Sequence, residues 1–316
     1  METTTAPTEL VATALTDDAW VDLLRRLNQQ SVIKHFDAYA DIDWDSDEMH
    51  LDPEDPRWRL PVDEPLADTD WYQALPEETR SRLACHSTAA RMKAGLQFES
   101  VLKRGLLEFA AALPNGAPEF RYAYHEVIEE AQHALMFQEF VNRSGFNARG
   151  LGMRDRAGAR LVLGFARWFP ELFFVFVLGG EDPVDYVQRR SLRRDGNHPL
   201  YDRILRIHVT EEARHLSFAR HYLKRRVPQL SRRRHAALAV AAPVVLAAMA
   251  GIMLKPAPEL VAEYGIPKNV VRSAYTHNLT HRQRTVESLA KVRSLCEELG
   301  LLRPPFTWVW RLLRLV

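Results

Sequence analysis

From Glu77 onward, apolar residues recur at spacings of three and four, and the recurrence breaks at 114–118, 144–152, 197–199, 227–230, 255–258 and 265–267. Such spacing gathers the apolar side chains on one stripe of a 3.6-residue helix. Period-two alternation, the mark of a half-buried strand, is hard to find. The pattern predicts an all-α chain of about seven long helices packed as a bundle.

Two regions depart from it. Residues 1–15 are rich in Thr, Ala and Pro and are expected to be loose, leaving 16–316 as a single domain. Between 37 and 72 the chain is acidic, and Pro53, Pro56, Pro61 and Pro65 exclude one long helix, because each lacks the amide donor a helix interior needs. Trp44, Trp58 and Trp71 in the same stretch predict an ordered wrap over the bundle.

Residues 236–254, AALAVAAPVVLAAMAGIML, are uncharged over a length that would cross a membrane. Alanine contributes little transfer free energy and Pro243 and Gly251 interrupt the run, so a buried helix of a soluble bundle is preferred to a membrane span. The C-terminal FTWVWRLLRLV is likewise read as a helix docking on the body in preference to a membrane-surface contact.

Composition adds limits. With 316 residues, 47% of them hydrophobic, the chain can bury a sizeable core, and a formal net charge of +1 gives no field for recruiting nucleic acid. Two cysteines cannot build a disulfide framework and fit a reducing compartment. The N-terminus lacks the basic start and apolar run of a secretory signal, so a cytoplasmic location is expected.

The chemistry lies where acids and imidazoles interrupt apolar stripes. In HVTEEARH, His208, Glu212 and His215 stand at about 0°, 40° and −20° around a helix turning about 100° per residue, so all three leave one narrow face. Ala219 and Tyr222 continue that stripe, while Arg214 and Arg220 lie elsewhere. Upstream, EEAQH carries Glu130 and His133 as E-x-x-H, with Val127, Ala134, Phe137 and Val141 on the stripe of Glu130. Glu99 sits among Met92, Leu96, Leu102 and Leu106, and Glu181 follows the apolar ELFFVFVLGG.

Four carboxylates on buried faces each cost several kcal/mol unless neutralised. Two metal ions resolve the conflict, because two helices supplying E-x-x-H and two supplying one glutamate each make the ferritin-like di-metal recipe. The sequence therefore predicts a ferritin-like helical bundle with additional helices.

Competing readings exist at several positions. A one-residue register shift would turn Glu129 and Glu211 inward; Glu130 and Glu212 are preferred because each stands three before a histidine. Glu181 can be read as a helix-terminal acid after Gly179 and Gly180, with Pro183 in the first turn, or as a ligand. His208 alone reads as a core histidine, and its spacing to Glu212 and His215 makes ligation an equal alternative. His277 and His281 share a helical spacing with no acid, a polar surface, and His125 offers support behind the ligands.

With Glu99, EEAQH, Glu181 and HVTEEARH in this order, residues 75–300 resemble the p-aminobenzoate N-oxygenase family, the di-iron arylamine oxygenases of antibiotic biosynthesis. The family's additional histidine matches His208. The resemblance implies metal ligands at Glu99, Glu130 and His133 on one iron and at Glu181, His208, Glu212 and His215 on the other, with Glu130 and Glu212 bridging. It implies a monooxygenase that activates O2 as a peroxo species and oxidises a primary aryl amine, free or carrier-bound, to hydroxylamine, nitroso or nitro. It also implies a homodimer, and Arg282 or Arg284 as the group that holds a substrate carboxylate. Electrons must come from an external reductase or ferredoxin, because the chain carries no Rossmann glycine fingerprint, flavin motif or iron–sulfur cysteine set. The alternatives are a di-iron carbon hydroxylase or desaturase, a non-catalytic ferritin-like metal binder, and a membrane-anchored di-iron enzyme.

Overall fold

The computed structural model describes residues 16–61 and 64–316, with the backbone alone at 153–157, 159 and 160. The first 15 residues, expected to be loose, lie outside the described residues. No strand occurs among the described residues. The chain is an all-α helical bundle.

Helix α1 (Asp17–Ile33) starts under a side-chain cap from Thr16 and carries Asp17 and Asp18 in its first turn, where acids meet the positive end of the helix dipole. A strap then runs to the short α2 (Asp70–Gln73). Five long helices follow: α3 (Glu77–Ala111), α4 (Glu119–Ser144), α5 (Met153–Trp168), α6 (Pro170–Ser191) and α7 (Pro199–Arg226). After α7 come α8 (Arg232–Met253), α9 (Pro258–Glu263), α10 (Lys268–Val271), a π-helical turn at Arg272–His277, α11 (Leu279–Ser288), α12 (Ala290–Glu298) and α13 (Thr307–Leu312).

Local sequence sets these limits. Helix α4 stops at Gly145, whose φ of 69° is a left-handed cap that a side-chain-bearing residue adopts at a cost. Pro170 and Pro199 open α6 and α7, where the first turn needs no amide donor. The boundary at Phe169–Pro170 is not among the breaks expected from apolar spacing, because the periodicity runs through it. Helix α6 continues through Gly179, Gly180 and Pro183, so Glu181 is mid-helix and the helix-terminal reading of it fails. Gly180 of α6 and Gly105 of α3 serve packing. A Cβ on Gly180 would stand 2.2 Å from the Phe98 ring, and one on Gly105 the same distance from the Phe173 ring, so α3 and α6 approach more closely than larger residues permit.

The apolar side chains form two cores. One joins α1 and the later parts of α3 and α7 to α6, α8 and the C-terminal helices, through Trp20, Leu102, Phe174, Phe218 and Leu246 among others. The other lies under the strap, through Trp58, Leu83, Met136, Phe140 and Ile204. The boundary between them crosses α3 between Met92 and Phe98, α4 between Ala123 and Met136, and α7 between Ile207 and Leu216. The singled-out acids and histidines of α4 and α7 occupy those gaps, and Glu99 sits at the edge of its own.

The strap is ordered, as its tryptophans predict. Trp44 donates from Nε1 to the carbonyl of Ala38 at 2.7 Å, and Trp58 stacks on His198 with ring centroids 4.6 Å apart. Helix α8 buries Leu238, Ala242, Leu246 and Met249 against the bundle and turns Val240 (42% exposed) and Val244 (50%) outward. It is long and apolar enough to cross a membrane by length and composition. Its one-sided burial is compatible with a helix of a soluble bundle. The C-terminal helix docks through Trp310, which is fully buried and donates to the carbonyl of Leu301 at 3.2 Å, while Trp308 faces outward.

Candidate metal centre

Glu99 from α3, Glu130 and His133 from α4, Glu181 from α6, and His208, Glu212 and His215 from α7 converge in the gap between the cores, each at most 3% exposed. Their donor atoms fall into overlapping sets that lie within 4.8 Å of one another: Glu99–His133–His208, Glu130–His133–Glu212 and Glu181–His208–Glu212. Glu212 is central. Its Oε1 lies 3.0 Å from His215 Nδ1, 3.6 Å from His133 Nδ1 and 3.9 Å from His208 Nε2. His208 Nε2 also faces Glu99 at 3.5 Å, so the division expected above, with Glu99 in one group and His208 in the other, does not appear as two separate clusters.

Each histidine turns one nitrogen inward and has the other anchored. His133 Nε2 lies 3.0 Å from Glu211 Oε2, His215 Nε2 lies 2.8 Å from Glu129 Oε2, and His208 Nδ1 lies 2.9 Å from Gln188 Oε1. Such a bond holds the proton on the outer nitrogen and leaves the inner lone pair free for a cation.

The paired acids thereby divide their work. In each EE doublet the second glutamate faces the centre, and the first reaches across to the histidine of the opposite helix: Glu129 of α4 to His215, Glu211 of α7 to His133. Arg214 joins the two anchors, 2.9 Å from Glu129 and 3.3 Å from Glu211, and is itself buried. By helical phase Arg214 lies away from the ligand stripe, as expected, but its own face is covered. By α1 the strap closes over this network, the amide of Phe36 donating to Glu211 Oε1 at 3.2 Å.

Several expectations change. Val127 and Ala134, chosen for the stripe of Glu130, are only half-buried; the covered face runs through Glu126, Glu130, His133 and Phe137. Glu126 is fully buried and forms a fourth donor set with Glu130 and His215. Its place one turn before Glu130 was a usable signal. His125 is half-buried and takes a 3.3 Å hydrogen bond from Arg121, away from the centre. His277 is exposed in the π-helical turn, but His281 is half-buried, against the polar-surface reading, and packs edge-on to Tyr275.

The donor set fits cations. Both oxygens of Glu99, Glu126 and Glu130, one oxygen of Glu212 and His133 Nδ1 are buried without a hydrogen-bond partner. Neutral protein groups would be expected to satisfy such atoms if no ion did. Imidazole with carboxylate suits iron or manganese. Burial, followed by the charge of Glu130, drives the Glu99 carboxyl well above its ordinary range, and burial followed by Glu212 does the same to Glu181. Burial opposes charge on His133, yet the Glu130 carboxylate 3.6 Å from Nδ1 and the hydrogen bond to Glu211 prevail and raise it to about 10. These shifts favour the protonated form of all three, so metal must displace protons to bind. Loading at pH 7 is expected to release protons, and the apparent affinity to fall as pH falls. Calorimetric titration in buffers of different ionisation enthalpy measures this; zero net release would contradict it.

A cavity of about 480 Å³ opens onto one side of the cluster, bounded there by Glu99, Glu181, His208 and Gln188. Its walls include Leu83, Met92, Phe98, Phe137 and Leu205, and its polar lining includes Glu64, Arg91, Tyr275, His281 and Arg284. Glu64 accepts a hydrogen bond from Tyr275 at 2.5 Å and pairs with Arg91 at 3.4 Å. Of the two arginines considered for substrate, Arg284 lines this cavity. Arg282 is exposed and is not part of its lining, since it stands two residues away on α11, on another side of the helix.

A sequence profile described as p-aminobenzoate N-oxygenase AurF matches residues 17–300. The chain belongs to the p-aminobenzoate N-oxygenase family. An uncharacterized protein of Mycobacterium tuberculosis (strain CDC 1551 / Oshkosh) is 39% identical over 301 residues, spanning 95% of this chain and 88% of its own. One from Mycobacterium bovis (strain ATCC BAA-935 / AF2122/97) is 38% identical over the same shares. The p-aminobenzoate N-oxygenase family is one of di-iron oxygenases, and the buried Glu and His groups of this member are suited to hold metal.

Proposed function

We propose that this protein is a di-iron monooxygenase that transfers oxygen from O2 to the nitrogen of a primary aryl amine. The observation that carries the reading is the cavity that meets the acid–imidazole cluster at Glu99, Glu181 and His208, in a chain of the p-aminobenzoate N-oxygenase family. Glu99, Glu130, His133, Glu181, His208, Glu212 and His215 would hold two iron ions, which when bound supply the reduction of O2 and the transfer of one of its oxygen atoms.

The protein's own groups do the rest. Phe98 and Phe137 offer flat apolar walls to an aromatic ring. The volume lies within the roughly 300–1,000 Å³ of small-molecule sites. Arg284, which lines the same cavity, would offer a positive charge to an acidic substituent of the substrate. Gln188 fixes the His208 ring by its 2.9 Å contact, so the imidazole nearest the cavity keeps its inner nitrogen free.

One oxygen atom of O2 enters the amine to give the hydroxylamine and the other leaves as water, with two electrons and two protons consumed. The electrons come from an external reductase or ferredoxin. Further rounds would give nitroso and nitro products. A homodimer in the cytoplasm, acting in secondary metabolism, completes the proposal.

The test supplies iron-loaded protein with reductant, O2 and aminobenzoates and follows products by mass spectrometry with 18O2. Multiple turnovers that place labelled oxygen on nitrogen support the proposal. Oxygen found only on carbon would assign a hydroxylase, and metal uptake without turnover would assign a metal binder.

A further inference from the structure

Glu126 has no part in the seven-residue ligand set, yet it is fully buried and neither of its oxygens has a hydrogen-bond partner. Its neighbours show what a supporting acid looks like here. Glu129 and Glu211, equally covered, are neutralised by Arg214 and by the outer nitrogens of His215 and His133. Among the described residues no arginine or lysine pairs with Glu126, and a buried carboxylate without a counter-charge costs several kcal/mol.

Position supplies the missing partner. On α4, residues 126, 130 and 133 lie at spacings of four and three, so Glu126 leaves the same helix face one turn before Glu130. One oxygen of Glu126, one of Glu130 and a ring nitrogen of His215 lie within 4.8 Å of one another, the spacing of atoms gathered round a single ion. This set lies on the side of the cluster next to Tyr122. The cavity lies on another side, where Glu99, Glu181 and His208 line it, so Glu126 does not reach the substrate.

We propose that Glu126 is an eighth metal-binding residue, a fifth carboxylate donating to the ion that Glu130 and His215 hold. The proposal rests on the reading that the centre binds two ions. Five carboxylates exceed the charge of two divalent ions, so this acid favours retention of the centre in its oxidised form.

The test uses metal-free full-length protein titrated anaerobically with cobalt(II), read by calorimetry and by the visible bands that report coordination. The native chain takes up two ions. In Glu126→Gln, which keeps size and removes charge, one ion is expected to bind about tenfold or more weakly, and its visible band to shift. The metal-free variant should melt no lower than the native protein, because an unpaired buried acid is gone. A merely structural acid would change melting and leave affinity and band alone; that result overturns the proposal. Should Glu126→Gln fail to fold, Glu126→Asp keeps the charge and shortens the reach, and an unchanged affinity there has the same force. If the native chain itself fails to bind a pair of ions, the di-metal reading falls and this proposal with it.

Discussion

Glu212→Ala is expected to fold and to lose the greater part of its bound metal. Glu212 Oε1 is within 3.0–3.9 Å of an inward nitrogen on each of the three histidines, a position no other acid of the cluster shares. Replacing a group that orients a ligand already costs about ten- to a hundredfold in metal affinity, and removing a central donor should cost at least the upper figure. Metal analysis after dialysis should fall from two ions per chain to one or none. The melting temperature should no longer rise when metal is added, since an ion that does not bind the folded state cannot stabilise it. The metal-free variant should be close to the native metal-free protein, because burial raises the Glu212 carboxyl above its ordinary range and its charge is already disfavoured there. A variant that retained two ions would show that Glu212 is not a ligand.

The second large effect belongs to a residue that would touch no ion. Arg214→Ala removes the cation that Glu129 and Glu211 share, and both acids remain almost completely covered. Breaking a buried charge network from one side typically costs about 3–5 kcal/mol, mostly the penalty of the charge left behind. The expected result is a lower denaturant midpoint in the metal-free protein. Metal affinity should also fall, because Glu129 and Glu211 hold the rings of His215 and His133. Arg214→Lys should retain part of the stability but cannot reproduce a guanidinium that contacts two carboxylates. Equal midpoints for Arg214→Ala and the native protein would mean that the anchoring acids are held by other means.

Sequence periodicity carried the fold class and the main helix limits because helix stripes and proline or glycine breaks are local events. The same logic placed Glu99, Glu130, His133, Glu181, His208, Glu212 and His215 on inward faces, and the structure brings all seven into one cluster. It did less well where the decisive contact comes from another helix. Arg214 looked outward by phase, and only the packing of α4 against α7 shows that its surface is covered and that Glu129 lies in reach. Glu126 was passed over because the stripe was traced through apolar residues, whereas the covered face of α4 at that level is acidic. Arg282 and Arg284 are two residues apart and equal in composition; the cavity that separates them is assembled from α3, α6, α11 and the loops around them. His281 was taken for surface for a related reason, since the tyrosine that covers it lies in a π-helical turn with no sequence signature of its own.

The most direct test is diffraction at the iron absorption edge from crystals of protein loaded with ferrous iron under exclusion of air. The account predicts two anomalous peaks inside the bundle, between Glu99, Glu130, His133, Glu181, His208, Glu212 and His215. An interior without iron, or iron held only at surface carboxylates, would contradict it.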